Sequence, residues 1–161
     1  MRYNKINNLL GWICAAIATI VYVATIERTV SWWDCGEFIA SAFKMQIVHQ
    51  PGAPLFLMVE NVFSNLAMGD GSRIAFWMNI GSAVCSGLTI LFLFWTITAL
   101  ARKIFAGVSS STELSPNQLF IVMASGVVGA LSYAFTDTFW FSAVEAEVYA
   151  MSSLCTAVVF W

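Results

Sequence analysis

Residues 51–68 read PGAPLFLMVENVFSNLAM. Whether this stretch crosses a membrane sets the side on which every later loop lies. Most of its residues are apolar enough for a span, but its centre holds Glu60, Asn61, Ser64 and Asn65. An acidic residue at mid-bilayer costs about 2.5–3.5 kcal/mol even on a lenient insertion scale. The four polar residues fall at i, i+1, i+4 and i+5, one stripe of a helix, while Leu55, Phe56, Met58, Val59, Val62, Phe63 and Leu66 cover the rest. The pattern predicts a helix over about 54–67 that lies in the interface or enters it shallowly. Residues 36–48 repeat the theme, with Glu37, Ser41 and Lys44 on one face and Phe38, Ile39, Ala42 and Phe43 elsewhere.

The flanking sequence is strongly apolar. Of 161 residues, 60% are hydrophobic and 10% charged, against roughly 25% charged in a soluble domain. Mean hydropathy is +0.79. Disorder is excluded, because disordered chains are poor in apolar residues. A nucleic-acid binder is excluded too, since the net charge is −2 and no basic cluster exists to meet phosphates. What remains is an all-α polytopic membrane protein with about four transmembrane helices. The spans are expected at about 9–26, 74–101, 119–135 and 144–161, each without a charge at its centre. Arg2 and Lys5 precede the first, which lacks a cleavage signature and reads as an uncleaved span. Ser109–Glu113 forms a polar loop, and Ser115-Pro116 is a good helix start. The pairs Ser82/Ser86 and Gly126/Ala130 suit close packing in lipid. The last apolar run continues to Trp161 without a polar tail, which predicts the N-terminal portion of a longer chain with its fourth span truncated. Cys14, Cys35, Cys85 and Cys155 match no metal spacing or disulfide framework.

Charge distribution favours the non-crossing choice for 51–68. Arg2, Lys5, Arg102 and Lys103 then share the cytoplasmic side with Glu113 alone among the acids. Glu27, Asp34, Glu37, Glu60, Asp70, Asp137, Glu145 and Glu147 share the other. A crossing at 51–68 would put Arg102-Lys103 outside, against the positive-inside rule.

Three loops on the acidic side carry residues capable of chemistry. Trp32-Trp33-Asp34-Cys35-Gly36-Glu37 fits an aromatic belt with Asp34 capping a helix, or a carboxylate projecting into an outer cavity. His49-Gln50-Pro51-Gly52-Ala53-Pro54 holds the only histidine of these 161 residues in a rigid turn, with Gly52 expected where crowding leaves no room for a β-carbon. Asp137 to Tyr149 couples aromatics to Asp137, Glu145 and Glu147, and helical spacing would place Tyr149 on the face of Glu145. No Walker, Rossmann or H-E-x-x-H motif is present.

Residues 31–42 (SWWDCGEFIASA), 49–56 (HQPGAPLF) and 143–150 (AVEAEVYA) together resemble, in order and spacing, the bacterial, largely Bacteroidetes, branch of the transmembrane protein 260 family. That family is grouped with protein O-mannosyltransferases of the GT-C type. The resemblance runs from about the first span to Trp161. It implies a multi-pass GT-C glycosyltransferase of the bacterial inner membrane, active on the periplasmic face. The donor would be a polyprenyl-phosphate-linked sugar such as mannose, taken from the membrane lipid. The acceptor would be a protein or glycan hydroxyl. The family's acidic residue at the acceptor maps onto Asp34, with Glu37 beside it. Gln50 stands where the family usually has proline, which loosens the turn that holds His49.

Such chemistry needs a base or orienting carboxylate, and Glu37 with partial burial would tune Asp34. The leaving phosphate needs cations, for which Arg28, Lys44 and Arg73 are available. His49, Asp137, Glu145, Glu147 and Tyr149 are further substrate-binding candidates. Some GT-C enzymes hold a divalent metal between carboxylates and others do not. The competing classes are a transporter or flippase-like protein, which should carry ionisable residues at mid-membrane, and a non-catalytic membrane protein, which would tolerate loss of Asp34.

Overall fold

The computed structural model describes residues 2–106 and 114–161. The polar loop expected at Ser109–Glu113 lies outside them. The elements are α1 (Arg2–Ala24), α2 (Cys35–Lys44), α3 (Pro54–Ser64), α4 (Ile74–Ala106), α5 (Pro116–Ala134), α6 (Asp137–Ala143) and α7 (Val148–Phe160). Short 3-10 turns at Asn65–Ala67 and Gly71–Arg73 join α3 to α4. Among the described residues there is no strand. Three helices are long and apolar enough to cross a membrane: α1, α4 and α5. Among the described residues the α6–α7 pair, bent by 110°, adds a fourth if the two short helices together form one broken span. The chain is an all-α polytopic membrane protein.

The long helices pack through small residues. A β-carbon on Gly87 of α4 would run into the Thr19 hydroxyl of α1 and lie 3.5 Å from the Ala15 carbonyl oxygen. A β-carbon on Gly126 of α5 would lie 2.5 Å from Thr98 Cγ2 and 2.8 Å from Phe94 Cε2 of α4. Backbones approach this closely only where side chains are nearly absent. The start of α5 is settled locally. Ser115 Oγ accepts from the Gln118 N–H while Gln118 Oε1 accepts from the Ser115 N–H, and Pro116 takes the first helical position.

Two ends of the bundle follow. At one, the Arg102 guanidinium lies 4.6 Å from the Tyr3 ring centroid, so α1 begins where α4 finishes. At the other, the buried Tyr22 hydroxyl donates to the Ala134 carbonyl at 2.8 Å, and Trp140 Nε1–H donates to Thr25 Oγ1 at 2.9 Å. The loops after α1 and α5 therefore gather at that second end.

The polar stripe of 51–68 is present, with Glu60 and Ser64 turned inward, Asn61 half-buried and Asn65 exposed. With 11 residues, α3 extends only about 16 Å, half the hydrocarbon thickness. Glu60 (2% exposed) and Ser64 are buried, and a β-carbon on Gly81 of α4 would meet Glu60 Oε1 at 2.9 Å. Asn61 Nδ2 donates to the Ala42 and Phe43 carbonyls that end α2, at 2.9 and 3.3 Å. Leu55, Met58, Val62 and Leu66 face outward. Asn61 finds partners at the end of α2 and Glu60 finds room beside Gly81, although among the described residues its Oε2 meets no hydrogen-bond donor; Phe56 and Leu57 are buried with them, and Asn65 stays exposed. Burial pushes the Glu60 carboxyl up to about 8, so at neutral pH it is mostly uncharged.

Two further differences concern the region after α5. Residues 137–143 form a separate short helix, with Asp137 in its first turn, and α7 begins only at Val148. Glu145 therefore precedes the helix that carries Tyr149. Their expected common face does not form: Glu145 is buried and Tyr149 exposed.

Candidate functional site

The segment after α1 is tied down before it reaches Asp34. Asn79 Nδ2 of α4 donates to the Glu27 carbonyl at 2.7 Å and to the Thr29 carbonyl at 3.3 Å, and the Glu27 N–H donates to the Val144 carbonyl. Trp33 then takes a left-handed backbone at φ 64°, uncommon for a bulky side chain. Trp32 and Trp33 are 86% and 88% exposed.

Asp34 stands at the N-cap of α2, yet its side chain makes no capping hydrogen bond. The carboxylate is 60% exposed, so the partial burial expected of it is absent, and its Oδ2 lies 3.9 Å from His49 Nε2. One turn into α2, Glu37 holds the histidine twice. Its Oε1 accepts from the His49 backbone N–H at 2.7 Å, and its Oε2 is 2.8 Å from Nδ1. An ionised carboxylate only accepts, so Nδ1 carries the proton and Nε2 faces Asp34. The Phe38 ring lies 5.7 Å from the imidazole, centroid to centroid.

The turn that presents His49 closes through the Gly52 N–H donating to the His49 carbonyl at 2.9 Å, with the Gln50–Pro51 bond cis. Gly52 is not crowded, since no atom lies within 4 Å of an added β-carbon; its backbone at φ +73° is what favours glycine.

The third motif reaches the same place from α6. Ala146 shares a buried cluster with Cys35, Phe38 and Val48. On either side of it, Glu145 and Glu147 are 4% and 7% exposed. Both lie in the turn between α6 and α7, outside the helices. Burial, then the Glu145 and Asp34 carboxylates, push Glu147 up to about 7, with His49 opposing. Burial also raises Glu145, against a hydrogen bond from Ser31.

The His49 ring N–H and backbone N–H hold Glu37 below its ordinary value, and Glu37 in turn raises His49, with smaller pushes from Asp34 and Glu147. The pair therefore stands between those two limits. Acid breaks it by protonating Glu37; rising pH takes the charge from His49 and with it the ion-pair attraction, while the Nδ1–H bond to Glu37 remains. Titration of the His49 resonance by NMR in the presence of EDTA, assigned by its loss in His49→Gln, should give a value above the ordinary 6.5. In Glu37→Gln it should fall back. An unchanged value would mean that the contact does not persist in solution.

Residues 34–161 match the family model described as the Protein O-mannosyl-transferase TMEM260 N-terminal domain. The chain belongs to the TMEM260 family. It is 23% identical over 141 residues to "Protein O-mannosyl-transferase tmem260" of Dictyostelium discoideum, covering 88% of this chain and 15% of that protein. It is 22% identical over 139 residues to "Protein O-mannosyl-transferase TMEM260" of Mus musculus, covering 86% and 17%. The chain thus spans about one-sixth of the length of these relatives. No solved structure matches it. The stretch matched to the TMEM260 domain opens on Asp34 and contains all of Glu37, His49, Glu145 and Glu147.

Arg28 precedes the TMEM260 match, yet the fold joins it to Arg73. Together with Ser72, Phe76 and Trp77 the two arginines line a cavity of about 320 Å³ beside the start of α4. Arg73 Nε is 3.2 Å from Asp70 Oδ2. Lys44 is not in this cavity; it is exposed in the last turn of α2. Asp137, in the exposed first turn of α6, and exposed Tyr149 also stand apart from the Asp34–Glu37–His49 group. Sequence reasoning missed Asn79, the clamp on the Asp34 segment. Its signal was a lone side-chain amide in the charge-free run 74–101.

Proposed function

We propose that the chain forms the acceptor side of a GT-C-type membrane glycosyltransferase that moves mannose from a polyprenyl-phosphate donor to a protein hydroxyl. The observation that carries this reading is the Asp34 carboxylate: it stands at a helix N-cap without capping, open to solvent and facing a histidine held by Glu37. The names of the TMEM260 relatives supply the reaction class. Asp34 accepts the proton of the acceptor hydroxyl as its oxygen attacks the anomeric carbon. The bond from that carbon to the phosphate oxygen breaks, and polyprenyl phosphate leaves with the electron pair. Arg28 and Arg73 meet the phosphate, and the Phe76 and Trp77 rings flank its lipid. The clustering of basic residues at the opposite end of the bundle supports a mouth facing away from the cytoplasm, which in a bacterial inner membrane is the periplasm.

The transporter reading gains no observation. Residues 9–24, 74–101, 116–134 and 148–160 carry no ionisable acid, base or histidine.

The test is transfer from polyprenyl-phosphate mannose to a Ser/Thr peptide by the complete protein in detergent. Arg28→Ala and Arg73→Ala should each raise the donor KM about 10–100-fold, the worth of one lost charge-assisted contact, and leave the acceptor KM unchanged. An unchanged donor KM would remove the arginines from donor binding, and absence of any transfer would overturn the reading.

A further inference from the structure

We infer that Asp34, Glu37 and His49 form a binding site for a divalent first-row cation of the Mn2+ type, faced by Glu147. One ligand-capable atom from each of the three residues lies within 4.8 Å of the others. His49 Nε2 and Asp34 Oδ2 are 3.9 Å apart, a gap that a cation about 2.1 Å from each would fill with little movement. The ring is already oriented for this. Its Nδ1–H is committed to Glu37, which leaves Nε2 towards Asp34, the arrangement in which a carboxylate fixes the tautomer of a metal-binding histidine.

A second observation is independent of these three side chains. Glu147 is 7% exposed, and among the described residues nothing donates a hydrogen bond to its carboxylate. The groups acting on it are Glu145, Asp34 and His49. No lysine or arginine is among the groups acting on Glu37, Glu145 or Glu147. His49 is the one favourable charge acting on Glu147, and a cation bound at Asp34 and His49 adds a second to a nearly enclosed carboxylate that no hydrogen bond meets. The donor set selects the metal. One or two carboxylates, Asp34 and the facing Glu147, with one imidazole and no thiolate favour Mn2+ over a soft-site metal, and Mg2+ prefers oxygen alone.

The cation would lie beside the acceptor hydroxyl of the transfer reaction, and only its role in that reaction rests on the reading given above. Binding itself is read without donor or acceptor. The experiment is an EPR titration of the complete, metal-stripped protein in detergent with Mn2+ alone. The free Mn2+ signal should be lost in proportion to protein, one ion per chain. Asp34→Asn and His49→Gln should each weaken binding about tenfold or more, and Glu147→Gln by less. Asp70→Asn, outside the group, should leave it unchanged. In the unsubstituted protein, substoichiometric Mn2+ should broaden the His49 resonance, a readout that needs no folded variant. Failure to bind at millimolar Mn2+, binding indifferent to Asp34 and His49, or a sharp His49 resonance would each overturn the site. Mn2+ binding with no sugar transfer would leave the site standing and count against the transfer reading alone.

Discussion

Asp34→Asn is expected to lower sugar transfer by about 10²–10⁴-fold, the usual cost of losing a general base, while the protein keeps its helical content and inserts normally. The two amino acids are nearly equal as N-caps, so a purely structural Asp34 would make the exchange silent. The geometry already separates the roles, since the carboxylate makes no capping bond and α2 starts without its help. An exposed side chain also leaves no cavity when altered, so a loss of rate is not a loss of fold. Glu37→Gln should cost less. It removes the charge that holds His49 and one of the two accepting oxygens, but leaves an amide oxygen able to keep one of the two bonds. Initial rates at saturating donor and acceptor decide the matter, and a wild-type rate for Asp34→Asn would return the residue to the status of a helix start.

The largest stability effect is expected at Gly87. A β-carbon there would collide with the Thr19 hydroxyl and lie 3.1 Å from Thr19 Cβ. That hydroxyl is not free to swing aside without cost, because it donates to the Ala15 carbonyl at 2.8 Å. Gly87→Val must therefore push α1 and α4 apart, and overpacking of this kind costs about 1–3 kcal/mol or more. The damage should reach the mouth, since Asn79 of α4 clamps the segment leading to Asp34. Thermal melts in detergent should show Gly87→Val well below the parent. The milder Gly87→Ala should be largely rescued by Thr19→Ala, which removes the obstructing oxygen. A Gly87→Val protein melting with the parent would mean that the two helices are not in close contact.

Features written in local chemistry were legible in the sequence, and features that depend on a distant partner were not. Charge-free runs announced a helical membrane protein, because lipid tolerates few other backbones. Ser115 and Pro116 announced the start of α5, because a helix start is set within its first turn, where Gln118 completes a capping box. The stripe at Glu60, Asn61, Ser64 and Asn65 was visible too, but the burial of Glu60 and the hold of Asn61 were not, since they depend on Gly81 and on the end of α2. The Glu145–Tyr149 pairing failed because helical spacing was extended backward through residues that are not helical. Gly52 was singled out for the wrong cause: its turn demands a left-handed backbone rather than room. At the candidate site, composition pointed to a shared acidic mouth, but not to the double hold of Glu37 on His49 or the burial of Glu147, both products of three-dimensional approach.

The inward-facing Glu60 has a thermodynamic consequence. Its carboxyl titrates at about 8 when α3 is seated on α4, against 4.5 when free in water. Between those values the assembled protein binds a proton that the separated helix has released, so seating α3 draws one proton from solution. By linkage, the contribution of this contact is greatest below pH 4.5, declines as the pH rises towards 8, and is least above it. Most carboxylates make a protein fragile in acid; this one makes the attachment of α3 fragile in alkali. Replacing it with Gln should flatten that slope in melting temperature measured across neutral pH.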